Sequence, residues 1–235
     1  GVLPGILGGV LIGMLIGYLN GLLVVRLKIA SIAATLGMMI LVNGIVFVIT
    51  KSLAPAGGNY SISGKNEYFG LIAETRILGI PSMIIVFIIL VIVFNFFLKR
   101  TVFGRNIFAT GGNLLASKYA NIKVDRIRLS AFVITGTLAG VAGVLLVSRY
   151  NIASGAIGQN IPLFVITAVL LGGVSLSGGE GTVFKAFWGL MLVAVIDNAL
   201  MILKVYSSVK FMIMGVLLII MLILDGIYIS KAKYQ

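Results

Sequence analysis

Residues 77–98, ILGIPSMIIVFIILVIVFNFFL, run for 22 positions without a charged side chain and stop at the pair Lys99-Arg100. That length meets the ~20 apolar residues a helix needs to cross a hydrocarbon core about 30 Å thick. The pattern recurs along the chain. Residues 1–25, 29–50, 129–148 and 150–179 are also uncharged, and 186–203 and 211–229 are interrupted only by Asp197 and Asp225. The expected fold is an all-α, polytopic transmembrane helical bundle of six or seven spans, forming a single transmembrane domain over residues 1–235. Composition agrees, since 60% of residues are hydrophobic and 10% charged, whereas about a quarter are charged in soluble domains. The chain opens at Gly1 inside an apolar stretch with no basic flank and cleavage site. That is the pattern expected of a fragment whose earlier spans are missing.

The net charge of +12 reads as topology rather than as nucleic-acid binding, because Lys and Arg concentrate in cytoplasmic loops. Lys99, Arg100, Arg105, Lys118, Lys123, Arg126 and Arg128 crowd residues 99–128 against Asp125 alone, which places that loop in the cytoplasm. Alternation then puts Arg26 and Lys28 inside and residues 51–79 outside. If residues 161–176 cross fully, cytoplasmic cations number eleven, with Lys231 and Lys233, against six external ones at Lys51, Lys65, Arg76, Arg149, Lys204 and Lys210.

The fifth apolar stretch is the irregular one. Its continuous part, residues 161–176, would reach only ~24 Å at 1.5 Å per residue, and it is flanked by Pro162 and by the pairs Gly172-Gly173 and Gly178-Gly179. A broken or re-entrant helix is expected, of the kind that lines a transport path. The other glycines, such as Gly5, Gly8, Gly9, Gly13, Gly17 and Gly21 in the first span, are read as close helix packing in preference to a dimer face.

Chemistry at covalent bonds is not expected. Six acids, no histidine and no cysteine leave no catalytic, metal-binding or cofactor-binding residue to name. The nearest phosphate-loop match, GGNYSISGKN at 57–66, is one residue too long between its glycines and has Asn66 in place of the metal-binding hydroxyl. Asp197 is an intramembrane candidate for function, with a hydrogen-bonded structural role beside Asn198 as its equal. Asn20, Asn43, Asp197 and Asn198 are the candidate pathway residues, although in-span polar groups of this kind also bond neighbouring helices.

The cytoplasmic loop carries more information. Asn113 suits a helix N-cap; Leu115, Tyr119 and Ile122 then recur at four and three on one face; and Asn121 tolerates the left-handed backbone of a helix C-terminus. Such a helix can lie on lipid, pack on its own bundle or dock into a partner.

The run FGRNIFATGGNLLASKYANIKVDRIRLSAF, residues 103–132, resembles the cytoplasmic loop of bacterial ribose-type sugar ABC transporter permeases. AVLLGGVSLSGGEGT, residues 168–182, is similar to their second signature, and residues 17–50 match the earlier spans. The resemblance implies a subunit of an ATP-driven importer for a simple sugar or sugar-like solute, multi-pass in the bacterial plasma (inner) membrane. It implies as partners cytoplasmic ATPase subunits, a second permease copy or homologue, an external sugar-binding protein and membrane lipid, with no nucleic acid. It implies an ATPase-coupling loop carried by Arg105, Gly111, Gly112, Asn113, Ala116, Tyr119, Asn121, Ile122, Val124 and Arg126. The second signature falls on Gly172, Gly173, Ser175, Leu176, Gly178, Gly179 and Gly181. Ser117 stands where Ala is usual, Asn121 where Gly is usual, and Pro162 where many members carry an acid, so substrate specificity does not carry across. The competing readings are an ion-coupled secondary transporter and a structural membrane subunit.

Overall fold

The computed structural model describes residues 2–53, 61–63, 75–77, 79–155, 157–176 and 178–233. Apart from 61–63, the near-match to a phosphate loop at 57–66 lies outside the described residues. Six helices are long and apolar enough to cross a membrane. They are α1 (Val2–Val25), α2 (Ser31–Leu53), α3 (Ser82–Arg100), α6 (Val124–Tyr150), α8 (Val183–Ile202) and α9 (Ser207–Lys233). Three shorter helices join them: α4 (Val102–Gly112), α5 (Leu114–Tyr119) and α7 (Ile161–Leu171). Four short strands complete the described elements: β1 (Ser61–Ser63), β2 (Arg76–Ile77), β3 (Ile80–Pro81) and β4 (Ile152–Ser154).

The multi-pass helical expectation holds, with boundaries of the long helices displaced by up to five positions. Helix α6 begins at Val124, five positions before the uncharged stretch, because a helix continues past the edge of lipid while its backbone bonds are made within itself. Asp125 in its first turn complements the positive end of the helix dipole. Arg126 therefore belongs to a long helix and not to the short helix of the loop.

The described chain divides into two compact units, Gly1–Ile89 with Lys123–Ile157 and Leu90–Ile122 with Gly158–Gln235. In the first unit α1 and α6 run antiparallel and nearly touch through glycine. A Cβ added at Gly13 would lie 2.5 Å from the Gly136 carbonyl oxygen, one at Gly17 would lie 2.5 Å from that of Phe132, and one at Gly9 would meet Val144 at 2.6 Å. Gly9, Gly13, Gly17 and Gly21 thus serve packing within the chain, whereas Gly5 and Gly8 face open space. The same unit pairs β1 with β4, Ser61 opposite Ser154 and Ser63 opposite Ile152. That pairing joins the connection after α2 to the end of α6, two places that the charge rule puts on the same side.

The second unit is built on the antiparallel pair α7 and α8. Gly189 packs on the Ala168 carbonyl and Gly172 on that of Lys185. Ala168, Val193 and Met214 form its core, with Phe164, Leu190 and Leu217 against them. Helix α7 has 11 residues and rises only ~16 Å, so the fifth stretch is broken as expected. It does not turn back on itself. Phe164 stacks edge-on to Phe211 at 6.3 Å between ring centroids, and the Leu176 N–H donates to Asp225 Oδ2 at 3.3 Å. From Phe164 to Leu176 the chain therefore keeps pace with α9 from Phe211 to Asp225, about 21 Å at 1.5 Å per residue, helical first and a turn-containing loop afterwards.

Candidate functional site

Helix α4 is held by its own first turn. Thr101 Oγ1 accepts from the Gly104 N–H at 3.0 Å and donates to the Phe97 carbonyl at 2.7 Å. Gly104 lies against the Leu98 carbonyl, where a side chain would collide, and the Phe97 and Phe103 rings sit 5.5 Å apart. These contacts fix α4 to the end of α3, with Arg105 exposed on its outer side. The sequence pattern had pointed to one short helix in this loop; α4 is an addition.

Asn113 joins α4 to α5 by serving both. Its N–H donates to the Ala109 carbonyl at 3.1 Å, closing α4, and its Oδ1 accepts from the Ala116 N–H at 3.0 Å, opening α5. At the other end Asn121 adopts φ 58°. Its N–H donates to Lys118 O and the Ile122 N–H to Ser117 O, both at 3.0 Å, which is the paired closure of a left-handed helix stop. Both asparagines expected to cap the loop helix do so. The buried side of α5 is Ser117, 4% exposed, while Leu115 and Tyr119 are 65% and 89% exposed. Ala116 is exposed and Ile122 half-buried. The apolar pair is thus turned away from its own chain, which removes self-packing from the three fates open to this helix.

The two signatures, 68 residues apart between Gly111 and Gly179, meet directly. A Cβ at Gly111 would lie 2.6 Å from the Gly179 nitrogen, and one at Gly179 would lie 2.5 Å from the Gly112 Cα. Gly178 and Gly179 adopt φ 87° and 80°, so this approach needs glycine for both space and conformation. Behind them Gly172 caps α7. The Gly173 N–H donates to Leu170 O at 2.8 Å and that of Val174 to Val169 O at 3.2 Å, with Gly173 at φ 77°. Gly181 closes the loop over Val174, and Ser175 is half-buried within it. The C-terminus of α4 is in this way seated on the loop that links α7 to α8.

The candidate pathway residues are divided between the two units. Asn20 and Asn43 stand on α1 and α2 of the first unit, Asn20 with a buried Oδ1 that has no hydrogen-bond partner. Asp197 and Asn198 stand on α8 of the second, Asn198 exposed. Asp197 Oδ1 pairs with Lys210 Nζ at 3.3 Å, a partner 13 residues on that sequence reasoning missed. Their meeting depends on the α8–α9 turn, where Lys204 takes φ 54°. Two further buried oxygens, Asn95 Oδ1 and Thr110 Oγ1, also lack partners. Among the described residues no group of acids, histidines or cysteines is arranged to hold a metal ion.

Comparison with known proteins adds a second kind of observation. Residues 1–222 match the family described as branched-chain amino acid transport system / permease component. The L-arabinose transport system permease protein AraH of Escherichia coli (strain K12) is 31% identical over 210 residues, covering 89% of this chain and 62% of that protein. The ribose import permease protein RbsC of Bacillus subtilis (strain 168) is 33% identical over 204 residues, covering 87% and 62%. The autoinducer 2 import system permease protein LsrC of Enterobacter sp. (strain 638) is 35% identical over 205 residues, covering 87% and 58%. The chain spans about three fifths of the length of these curated relatives. No solved structure matches it.

Proposed function

Since the chain belongs to the family of branched-chain amino acid transport system permease components, we propose that it is the membrane-spanning permease subunit of an ATP-driven importer for a simple sugar or sugar-like solute. Relatives named for arabinose, ribose and autoinducer 2 import support the solute class. Residues 1–235 act as one permease domain in the bacterial inner membrane. Energy comes from two cytoplasmic ATPase subunits, solute from an external binding protein, and the path is completed by a second permease copy or homologue. The chain itself breaks no bond; it positions solute and alternates between outward-open and inward-open states.

The observation that carries this reading is the seat of α4 on the second signature, beneath an α5 whose Tyr119 and Leu115 are exposed. A partner that grips α5 gains a lever, because displacement of α4 cannot pass Gly178 and Gly179 without moving the loop that ends α7 and starts α8. Large exposed aromatic side chains are the usual anchors of such an interface. An ion-coupled secondary transporter needs a buried ion site, and the carboxylate best placed for one, Asp197, is occupied by Lys210.

Truncating Tyr119→Ala is expected to weaken co-purification of the ATPase and abolish uptake while leaving membrane insertion intact. Asn121→Gly is expected to behave as wild type. Asn121→Val is expected to fail like Tyr119→Ala, since a β-branched residue resists the positive φ. Normal uptake and normal co-purification in both Tyr119→Ala and Asn121→Val would assign the loop to a lipid-facing connector.

A further inference from the structure

Against Gly173 and Ser175 of the second signature, α7, α8 and α9 line a half-open cavity of about 400 Å³, at the small end of the ~300–1,000 Å³ typical of ligand pockets, with Glu180 and Lys185 exposed at its mouth. Its walls are of two kinds. Leu170, Met221 and Leu224 are apolar, whereas Glu180, Lys185 and Asp225 bring two carboxylates and one ammonium. None of these three takes part in the seat of α4. The charges lie at one edge of the membrane-crossing helices. Lys185 is in the first turn of α8, and Asp225 stands 18 residues, about 27 Å, along α9 from Ser207, close to one hydrocarbon thickness. Near them Leu224, Ile220 and Ile223 are exposed on α9, an apolar face of the kind acyl chains can lie against.

The charge arrangement selects among ligands. A metal cation would meet the Lys185 ammonium in the same lining as the acids, and an anion would meet two carboxylates against one ammonium. A sugar ring finds no aromatic side chain to stack on in the lining. A zwitterion that carries a primary ammonium and a phosphate satisfies all three groups, the ammonium donating to Glu180 and Asp225 and the phosphate accepting from Lys185. We propose that this cavity binds the head group of a zwitterionic phospholipid of the phosphatidylethanolamine type, with its acyl chains lying along the exposed face of α9. Asp225 already accepts from the Leu176 N–H, so an occupied site would brace the loop on which α4 is seated.

Native mass spectrometry of the intact complex, delipidated and then offered phosphatidylethanolamine, phosphatidylcholine or phosphatidylglycerol, tests the proposal. Phosphatidylethanolamine should be retained about tenfold better than the other two, the size of one charge-assisted hydrogen bond, because the trimethylammonium of phosphatidylcholine has no N–H to donate. Glu180→Gln should erase that preference, Lys185→Gln should lower retention of all three lipids because they share the phosphate, and Lys204→Gln, outside the cavity, should leave both intact. Equal retention of the three lipids, an undiminished preference in Glu180→Gln, or undiminished retention in Lys185→Gln, with the complex folded, overturns the assignment. Soluble O-phosphoethanolamine separates lipid from free solute: displacement of the bound lipid only at large excess supports the lipid, and displacement at equimolar concentration overturns it.

Discussion

At Gly111 and Gly112 two adjacent glycines meet the same partner on different terms. A Cβ at Gly111 would collide with the Gly179 backbone, whereas one at Gly112 would meet the Gly179 Cα at 3.7 Å, an ordinary contact. Gly111→Ala should therefore strain the seat by about 1–3 kcal/mol, the usual penalty for overpacking. Gly112→Ala should fall within ~1 kcal/mol of neutral, since Ala is the better helix former. In ATPase and uptake assays of the reconstituted complex, Gly111→Ala is expected to keep ATPase binding but to uncouple hydrolysis from uptake, and Gly112→Ala to retain both; equal behaviour of the two would remove the seat from the mechanism. The caps were legible from single residues, because Asn113 and Asn121 have short side chains suited to non-helical and left-handed backbone. The Gly111–Gly179 contact was not, since no local pattern links glycines 68 positions apart. The Asp197–Lys210 pair was hidden for a related reason, as it forms only once the turn at Lys204 brings two helices together.

Among the elements, the six long helices could be read directly, because an uncharged run of sufficient length has little alternative in lipid. Helix α4 was obscured by Gly104, Gly111 and Gly112, which lower helix propensity within 11 residues. Contacts with the end of α3 and with the second signature compensate, and a single sequence does not display them. The strand pair β1–β4 escaped for the same reason, being set by the meeting of distant segments. The α1–α6 interface offers a sharp test of how the glycines are used. Gly13→Leu should lower the melting temperature of the purified chain in a fluorescence size-exclusion assay, through overpacking of about 1–3 kcal/mol or more. Gly5→Leu and Gly8→Leu, whose positions meet nothing within 4 Å, should leave it unchanged. Sensitivity at Gly5 and Gly8 with tolerance at Gly13 would instead place the glycine face against another chain.

For the whole molecule, the positive-inside rule sets residues 99–128 in the cytoplasm and Ser61 outside. Tyr119, exposed within that loop, is a suitable reporter of the inner side. With no native cysteine, Tyr119→Cys should react with an impermeant thiol reagent only after lysis of spheroplasts and Ser61→Cys before it; the reverse order would invert the topology. ATP as the source of energy is tested most directly by uptake of simple sugars into proteoliposomes that contain the complete complex, with ATP supplied on the ATPase side and ionophores collapsing every ion gradient. Accumulation of a sugar that requires ATP and the ATPase subunits, and that ionophores leave untouched, is the expected result. Accumulation driven by an ion gradient without nucleotide would contradict it.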